Sequence, residues 1–532
     1  MVKNIIKAAS LLSFIAFIYI IFSSNQLDWD YFYTTTEADL RSLLVFGELP
    51  LWSYQFCAGV TRLGDPQALS LSPLFIFPLI WGPIWGIKIM MLVLFSVGTY
   101  FAKKILELFF DLKEEHFWAF AIAANTSNFF VWHSIAGHVT FSLFNLGLII
   151  SYYYFKEGME GKFNGRRFLI LCLATFTLFS GAFYPVLIYY FFPLIPLFVW
   201  GLIKNGKKLK YFYYATFLGL FLSSYKWFSI ITYQISTPRS LEKLDTERSS
   251  LLEVLQNLIS PSNISEMRLW GPIRNHQWSI WEYSFFSGLF LLFLFIIFLA
   301  LGKKETFRIG RFGKKIILLA LLPLLLSLGY FSIYSPYAIS NHYLFSDSLR
   351  VHSRFLIPLF FIFIFFLAYL WDQIKNLKFA SFAIALILSI NVINLLYFAT
   401  HLSLKSFDQT VKSRAESMFV SQRIWITPTA VFSAYPATTQ GFAVANCYNP
   451  LNRKINLLKK MSETKEEVPS IKHFLVGELP TACLEESYFT SNKIIIAESC
   501  PRKICVNFND INTRANSDFI FNDQEKAYCR QE

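Results

Sequence analysis

From residue 5 to residue 399 the chain is a succession of apolar runs, each long enough to cross a bilayer as a helix, joined by polar connections. A hydrocarbon core about 30 Å thick takes about 20 residues at about 1.5 Å each, and it contains no water to satisfy a free peptide group. Runs of this length are therefore confined to helices. They fall near residues 5–22, 84–101, 117–132, 139–155, 168–183, 185–203, 211–233, 285–301, 316–334, 355–371 and 379–399, which predicts about eleven transmembrane helices. With 55% hydrophobic and only 16% charged residues, an ordinary soluble globule is excluded. No small-residue cleavage site follows the first run before the acidic loop, so that run reads as a retained anchor.

The net charge of +13 resides largely in short connections: Lys3 and Lys7 before the first run, Lys103 and Lys104, residues 156–167, 204–210 and 303–315, and Lys375 and Lys378. That is the positive-inside pattern, not a nucleic-acid surface, and no nucleic-acid partner is expected. It places the amino terminus in the cytoplasm and the carboxyl terminus outside it, in a multi-pass protein of the inner (plasma) membrane. Residues 69–85, broken by Pro73, Pro78, Gly82 and Pro83, read as a re-entrant or interfacial piece. A full crossing there would invert everything downstream.

The expected architecture is an all-α polytopic membrane domain, residues 1–400, with long outer connections at 23–83, 234–284 and 335–354, followed by a small β-rich extracytoplasmic domain at 401–532. Strands are expected near 423–427, 441–446 and 493–497. Five of the seven cysteines (Cys447, Cys483, Cys500, Cys505 and Cys529) lie in this tail, which fits an oxidising compartment. Cys500 and Cys505 flank Pro501 as plausible partners, but connectivity stays open. A tail zinc site is disfavoured, because there is no Cys-x-x-Cys and only His473 lies between Cys447 and Cys529.

The first outer connection opens with Asp28-Trp29-Asp30 and Glu37-Ala38-Asp39. Carboxylates at a membrane surface need solvent, cations or a reaction. Residues 36–46 can form a surface helix with Leu40, Leu43, Leu44 and Phe46 on the membrane, ended by Gly47, leaving Asp28 and Asp30 between it and the first span. An acid there can serve as a general base or hold a divalent cation. The plain alternative is a set of solvated loop acids. Further candidates gather at the same predicted face. They are His138 in a short turn, Glu282 between Trp281 and Tyr283, Asp65 and Gln67 beside Pro66, and Arg350 and Arg354 one helical turn apart. The alternatives are interface anchoring for the arginines and aromatics and an ordinary turn for Gly64-Asp65-Pro66.

Asp28 and Asp30, Gly47-Glu48-Leu49-Pro50-Leu51-Trp52, Gly59, Gly64-Asp65-Pro66-Gln67 and Ser72-Pro73 together resemble the first-loop pattern of YfhO-like bacterial membrane proteins of the GT-C glycosyltransferase superfamily. The similarity continues more loosely at Ala136-Gly137-His138, Trp281-Glu282-Tyr283, Leu349-Arg350 and Ser353-Arg354-Phe355, and does not reach the tail from His401. The resemblance implies transfer of a sugar from a polyprenyl-phosphate donor to an extracytoplasmic glycan, polymer or protein. Asp28 or Asp30 would be the catalytic base, with Glu37 and Asp39 as the fallback pair. Arg350, Arg354 and His138 would meet the donor phosphate, while Glu37, Asp39, Asp65, Gln67 and Glu282 would contact substrate. A requirement for Mg²⁺ or Mn²⁺ stays open.

The main rival is a transporter or lipid flippase for an envelope precursor. It would place ionisable residues at mid-membrane and often show repeated halves; here the spans are nearly free of acids, Lys226 being among the few buried-looking charges. A non-catalytic assembly protein, whose tail binds cell-wall material, is the third reading.

Overall fold

The computed structural model describes residues 2–24, 29–53, 60–161, 163–181, 184–236, 250–251, 254, 282, 284–288, 310–344, 349, 351–374 and 380–401, with short strand segments between 423 and 530. In chain order its main helices are α1 (Val2–Ser23), α2 (Trp29–Leu44), α3 (Ile76–Phe109), α4 (Glu114–Asn125), α5 (Asn128–Ile135), α6 (Phe144–Glu160), α7 (Gly165–Ser180), α8 (Phe192–Leu222), α9 (Ser224–Ser236), α10 (Arg311–Ser327), α11 (Leu356–Ile374) and α12 (Ala380–His401). Five helical stretches among the described residues are long and apolar enough to cross a membrane: Val2–Ser23, Pro73–Phe109, Leu187–Leu222, His352–Ile374 and Ser381–Ala399. The protein is thus a helical membrane protein of the multi-pass kind.

Five is fewer than eleven for local reasons. The run at 117–132 is split between α4 and α5 by Thr126 and Ser127, and the run at 139–155 opens with a 3-10 turn, Val139–Leu143. The run at 285–301 lies almost wholly outside the described residues. Two of the five stretches also fold back on themselves. In α8, Asn205 leaves helical geometry (φ −126°, ψ 20°), and Tyr213 Oη donates to Phe198 O at 3.0 Å. Fifteen residues of straight helix would separate those groups by about 22 Å, so the chain reverses at Asn205, as the Lys204–Lys210 connection predicts. The expected span at 211–233 is corrected: it stops at Leu222, turns at Ser223 and resumes as α9.

Gly82 (φ 72°) is the other reversal. Only glycine adopts this backbone cheaply, and a Cβ on Gly86 would collide with the backbone of Pro78, so the Pro73–Trp81 piece lies back against the helix that follows. Nine residues of helix reach about 13 Å. That is too short to cross, in keeping with the re-entrant reading.

Two compact units divide the chain. In the first (Met1–Ser24, Lys88–Ser224 and Leu241–Leu404), α1 buries Ile6, Ser13, Phe17 and Ile20 and packs against α12 and α4 while leaving Leu11, Leu12 and Ile15 exposed, as a lipid-facing stripe would be. Polar side chains tie these helices together: Asn391 Nδ2 donates to Thr126 Oγ1 (3.1 Å), Asn394 Nδ2 to Asn128 Oδ1 (2.6 Å) and Trp371 Nε1 to His116 Nδ1 (3.1 Å), with Ser381 Oγ 3.3 Å from His116 Nε2. Lys3 reaches Glu115 at 4.0 Å. With Asn391 Nδ2 also donating to Ser13 Oγ (3.4 Å) and Phe361 set against Phe130, these pairs show α1, α4 and α12 running in one direction and α11 in the other, as the predicted alternation requires. Where helices meet closest the residue is small: a Cβ on Gly219 would lie 2.7 Å from Cys172 O.

The second unit (Asn25–Ile87, Tyr225–Ser240 and Lys405–Glu532) contains α2, α9 and an antiparallel hairpin of β1 (Trp52–Ser53) and β2 (Val60–Thr61). In the tail, the strands Arg423–Trp425, Ala443–Val444 and Lys493–Ile495 fall inside the three expected stretches. Most of the tail, Cys500 included, is outside the described residues.

Candidate functional site

Two clusters of buried charge, one in each unit, hold the sequence-predicted residues that the structure describes best. The first is built on the connection after α1. Helix α2 starts seven residues earlier than the predicted surface helix, because Trp29, Phe32 and Tyr33 are buried and Thr35 Oγ1 bonds back to Tyr31 O at 2.8 Å. Asp30 is consequently inside the first turn of a helix, where an acid suits the positive end of the dipole, and not in a loop between helix and span. Asp28 lies outside the described residues, and the Asp30 side chain is not among the described ones. The predicted membrane face is also mixed: Leu44 and Phe46 are exposed, but Leu40 is buried.

The centre of this cluster is Arg62, which the sequence reading missed. The β1–β2 hairpin positions it, and its backbone N–H donates to Leu51 O at 2.9 Å. Its guanidinium grips Asp39 with two parallel bonds, Nε to Oδ1 and Nη2 to Oδ2, both 2.9 Å, and Nη1 binds Asp65 Oδ2. Tyr31 Oη donates to Asp65 Oδ2 (2.9 Å), and the Gln67 N–H donates to Asp65 Oδ1 (2.8 Å). Lys226, from α9, donates to Arg62 O at 2.8 Å. The Arg62 and Asp39 side chains are each 2% exposed. Burial pushes the Asp39 carboxyl up, and Arg62 pulls it only partly back. Burial, aided by Asp65, moves the Tyr31 hydroxyl well above its usual range.

Two acids, a guanidinium and an ammonium balance in formal charge, and their donors and acceptors are turned on one another. This arrangement clamps α2 to the hairpin. Asp39, of the fallback pair, is held by Arg62, and Glu37 pairs with Arg41 at 3.0 Å on a half-buried helix face. Gln67 sits in the turn capped by Asp65, the plain turn reading of Gly64-Asp65-Pro66.

The second cluster joins Glu282, Arg354, His133 and His138. Helix α5 ends at Ile135, Gly137 (φ 80°) turns the chain, and His138 caps the 3-10 turn that follows, its N–H donating to His133 O at 2.8 Å. Asn128 N–H donates to Phe286 O (2.8 Å), and Phe129 stacks on Phe285, which seats the segment carrying Glu282 against α5. Arg354 Nε donates to Glu282 Oε2 at 2.9 Å and Nη2 to Oε1, and Ser353 Oγ donates to Glu282 O at 2.7 Å. Phe141 and Tyr189 lie 5.0 and 5.7 Å from the guanidinium carbon. Glu282 Oε2 is also 3.3 Å from His133 Nε2. Burial would push the Glu282 carboxyl up, but Arg354 and His133 outweigh it and hold it well below the carboxylate range. Burial pushes His133 down to about 4.

Of the predicted residues, this cluster unites Glu282, Arg354 and His138. Arg354 holds a carboxylate here, and Arg350, Trp281 and Tyr283 are outside the described residues. Arg354 is carried by the 3-10 turn His352–Phe355, whose N-cap, Val351, is extended (φ −126°, ψ 96°). His133 was missed; a second histidine five residues before His138, across a glycine turn, was the signal available. No family model matches the chain, and no match is found among curated proteins.

Proposed function

We propose that this protein is an integral-membrane glycosyltransferase of the GT-C type, taking a sugar from a polyprenyl-phosphate donor to an acceptor outside the cytoplasm. The observation that supports this most is the Asp39–Arg62–Asp65 clamp. It makes the connection after α1 a folded element and holds α2, whose first turn carries Asp30, against the hairpin. A reacting acid gains from a rigid support. In the proposed reaction Asp28 or Asp30 takes the proton of an acceptor hydroxyl. The acceptor oxygen then bonds to the anomeric carbon, and the bond from that carbon to the phosphate oxygen breaks, releasing the polyprenyl phosphate with its charge.

The test is transfer from radiolabelled polyprenyl-phosphate hexoses in membranes containing the wild type, Asp28→Asn, Asp30→Asn or the double variant. Loss of a general base costs roughly 10²- to 10⁴-fold, expected in one single variant and in the double. A correctly inserted double variant that transfers at the wild-type rate overturns the mechanism. Failure of the wild type with every lipid-linked donor, together with uptake of a solute, moves the protein to the transporter class.

A further inference from the structure

The second cluster contains an arrangement that hydrogen bonding among its own members leaves incomplete. His133 Nδ1 lies 2.8 Å from Phe129 O. A carbonyl oxygen only accepts, so Nδ1 carries the hydrogen, and the neutral ring then presents a lone pair at Nε2. That lone pair faces Glu282 Oε2 at 3.3 Å, an oxygen that also only accepts while the carboxylate is ionised. Two acceptors hold this separation when a cation lies between them, and the candidates are a proton or a metal ion.

A third donor selects between them. The ligand atoms of His133, His138 and Glu282 all lie within 4.8 Å of one another. Zinc bonds of about 2.0–2.2 Å set tetrahedral ligand separations of roughly 3.3–3.5 Å, so the His133–Glu282 edge already has the right length. The His138 ligand atom lies within 4.8 Å of the other two, and the side chain is only half-buried, just after the Gly137 turn, so it has room to close on an ion. The outer partners suit metal ligation too. The Nδ1–H···O=C bond fixes the tautomer that leaves Nε2 to the metal, and Arg354 orients the carboxylate while Oε2 keeps a second lone pair.

We propose that His133, His138 and Glu282 bind one divalent transition-metal ion of the zinc class, with a fourth position left for water or a substrate oxygen. Two imidazoles and one carboxylate favour such an ion over Mg²⁺ or Ca²⁺, which take oxygen ligands. The positive charge of Arg354 beside the carboxylate makes binding weaker than at an all-thiolate structural site. The proposal does not rest on the glycosyl-transfer reading, although that reading gave His138 and Glu282 as donor and substrate contacts.

The experiment uses full-length protein in nanodiscs, with thiols alkylated to silence the cysteines, stripped by chelator and titrated with Co²⁺ and then Zn²⁺. Expected are the visible bands of tetrahedral Co²⁺, displacement by equimolar Zn²⁺, and one ion per chain by elemental analysis. His138→Ala, at the half-buried member of the three and so least harmful to folding, should weaken binding at least tenfold, as should His133→Gln. His342→Ala, an exposed histidine elsewhere, should change nothing. A folded wild type that binds no Co²⁺ or Zn²⁺, or binding indifferent to His138→Ala, overturns the proposal and leaves a shared proton between His133 and Glu282.

Discussion

Replacing Arg62 by methionine tests whether the first cluster is a clamp. The substitution keeps much of the side-chain volume but removes the charge and every guanidinium bond to Asp39 and Asp65. Asp39 is left without its bidentate partner at 2% exposure, while Asp65 keeps Tyr31 and the Gln67 N–H. Breaking a buried pair from one side costs about 3–5 kcal/mol. The partners Asp65 retains place this case at the low end, about 3 kcal/mol. Because the clamp joins α2 to the hairpin, the loss should appear as easier local opening of α2. At about 1.4 kcal/mol per tenfold, 3 kcal/mol is roughly a hundredfold. Hydrogen–deuterium exchange of the backbone amides of residues 33–40, followed by mass spectrometry in nanodiscs, reads that ratio directly. The triple variant Asp39→Asn, Arg62→Met, Asp65→Asn should regain most of the protection, since exchanging a whole buried ion cluster for neutral groups is far less costly than orphaning part of it. Exchange in Arg62→Met within threefold of the wild type would refute the reasoning, as would a triple variant no better than the single.

Two further outcomes follow from the first unit. The reversal at Asn205 puts Leu187 and Leu222, both accessible, at the same membrane face, so single cysteines at either position should react with an impermeant thiol reagent from the same side; labelling from opposite sides would show one unbroken helix. Burial lowers His116 to about 4, and the neutral ring accepts the Trp371 indole hydrogen. A group depressed in this way contributes its full stability above the unfolded pKa of about 6.5 and loses it as the pH falls toward 4, so lowering the pH from 6.5 to 5 should cost no more than about 2 kcal/mol. Thermal unfolding in detergent should show a falling midpoint over that interval, flattened in His116→Asn. An equal fall in both proteins would remove His116 as the cause.

The parts of the fold legible in the sequence are those governed by local quantities. Apolar run length marked α1, α11 and α12, and Pro73, Pro78, Gly82 and Pro83 marked the piece that folds back. The Lys204–Lys210 connection marked the reversal within α8. The start of α2 was misplaced because its entry turn is fixed by burial of Trp29 and Tyr33, which no amphipathic count records. Lys226 was conspicuous as a charge in an apolar run, but its partner, Arg62 O, is 164 residues away.

Hydrophobicity and backbone preference act between neighbours in the chain, so the sequence by itself determined that this is a helical membrane protein and roughly where its crossings and turns fall. Which charges meet is another matter. Arg62 reaches Asp39 across 23 residues, Arg354 reaches Glu282 across 72, and His133 faces Glu282 across 149. Only tertiary structure decided those pairings, because a buried charge takes whatever partner packing brings within about 3 Å, and it was packing that joined Asp39, Arg62 and Asp65 in a clamp and drew two histidines and a carboxylate together.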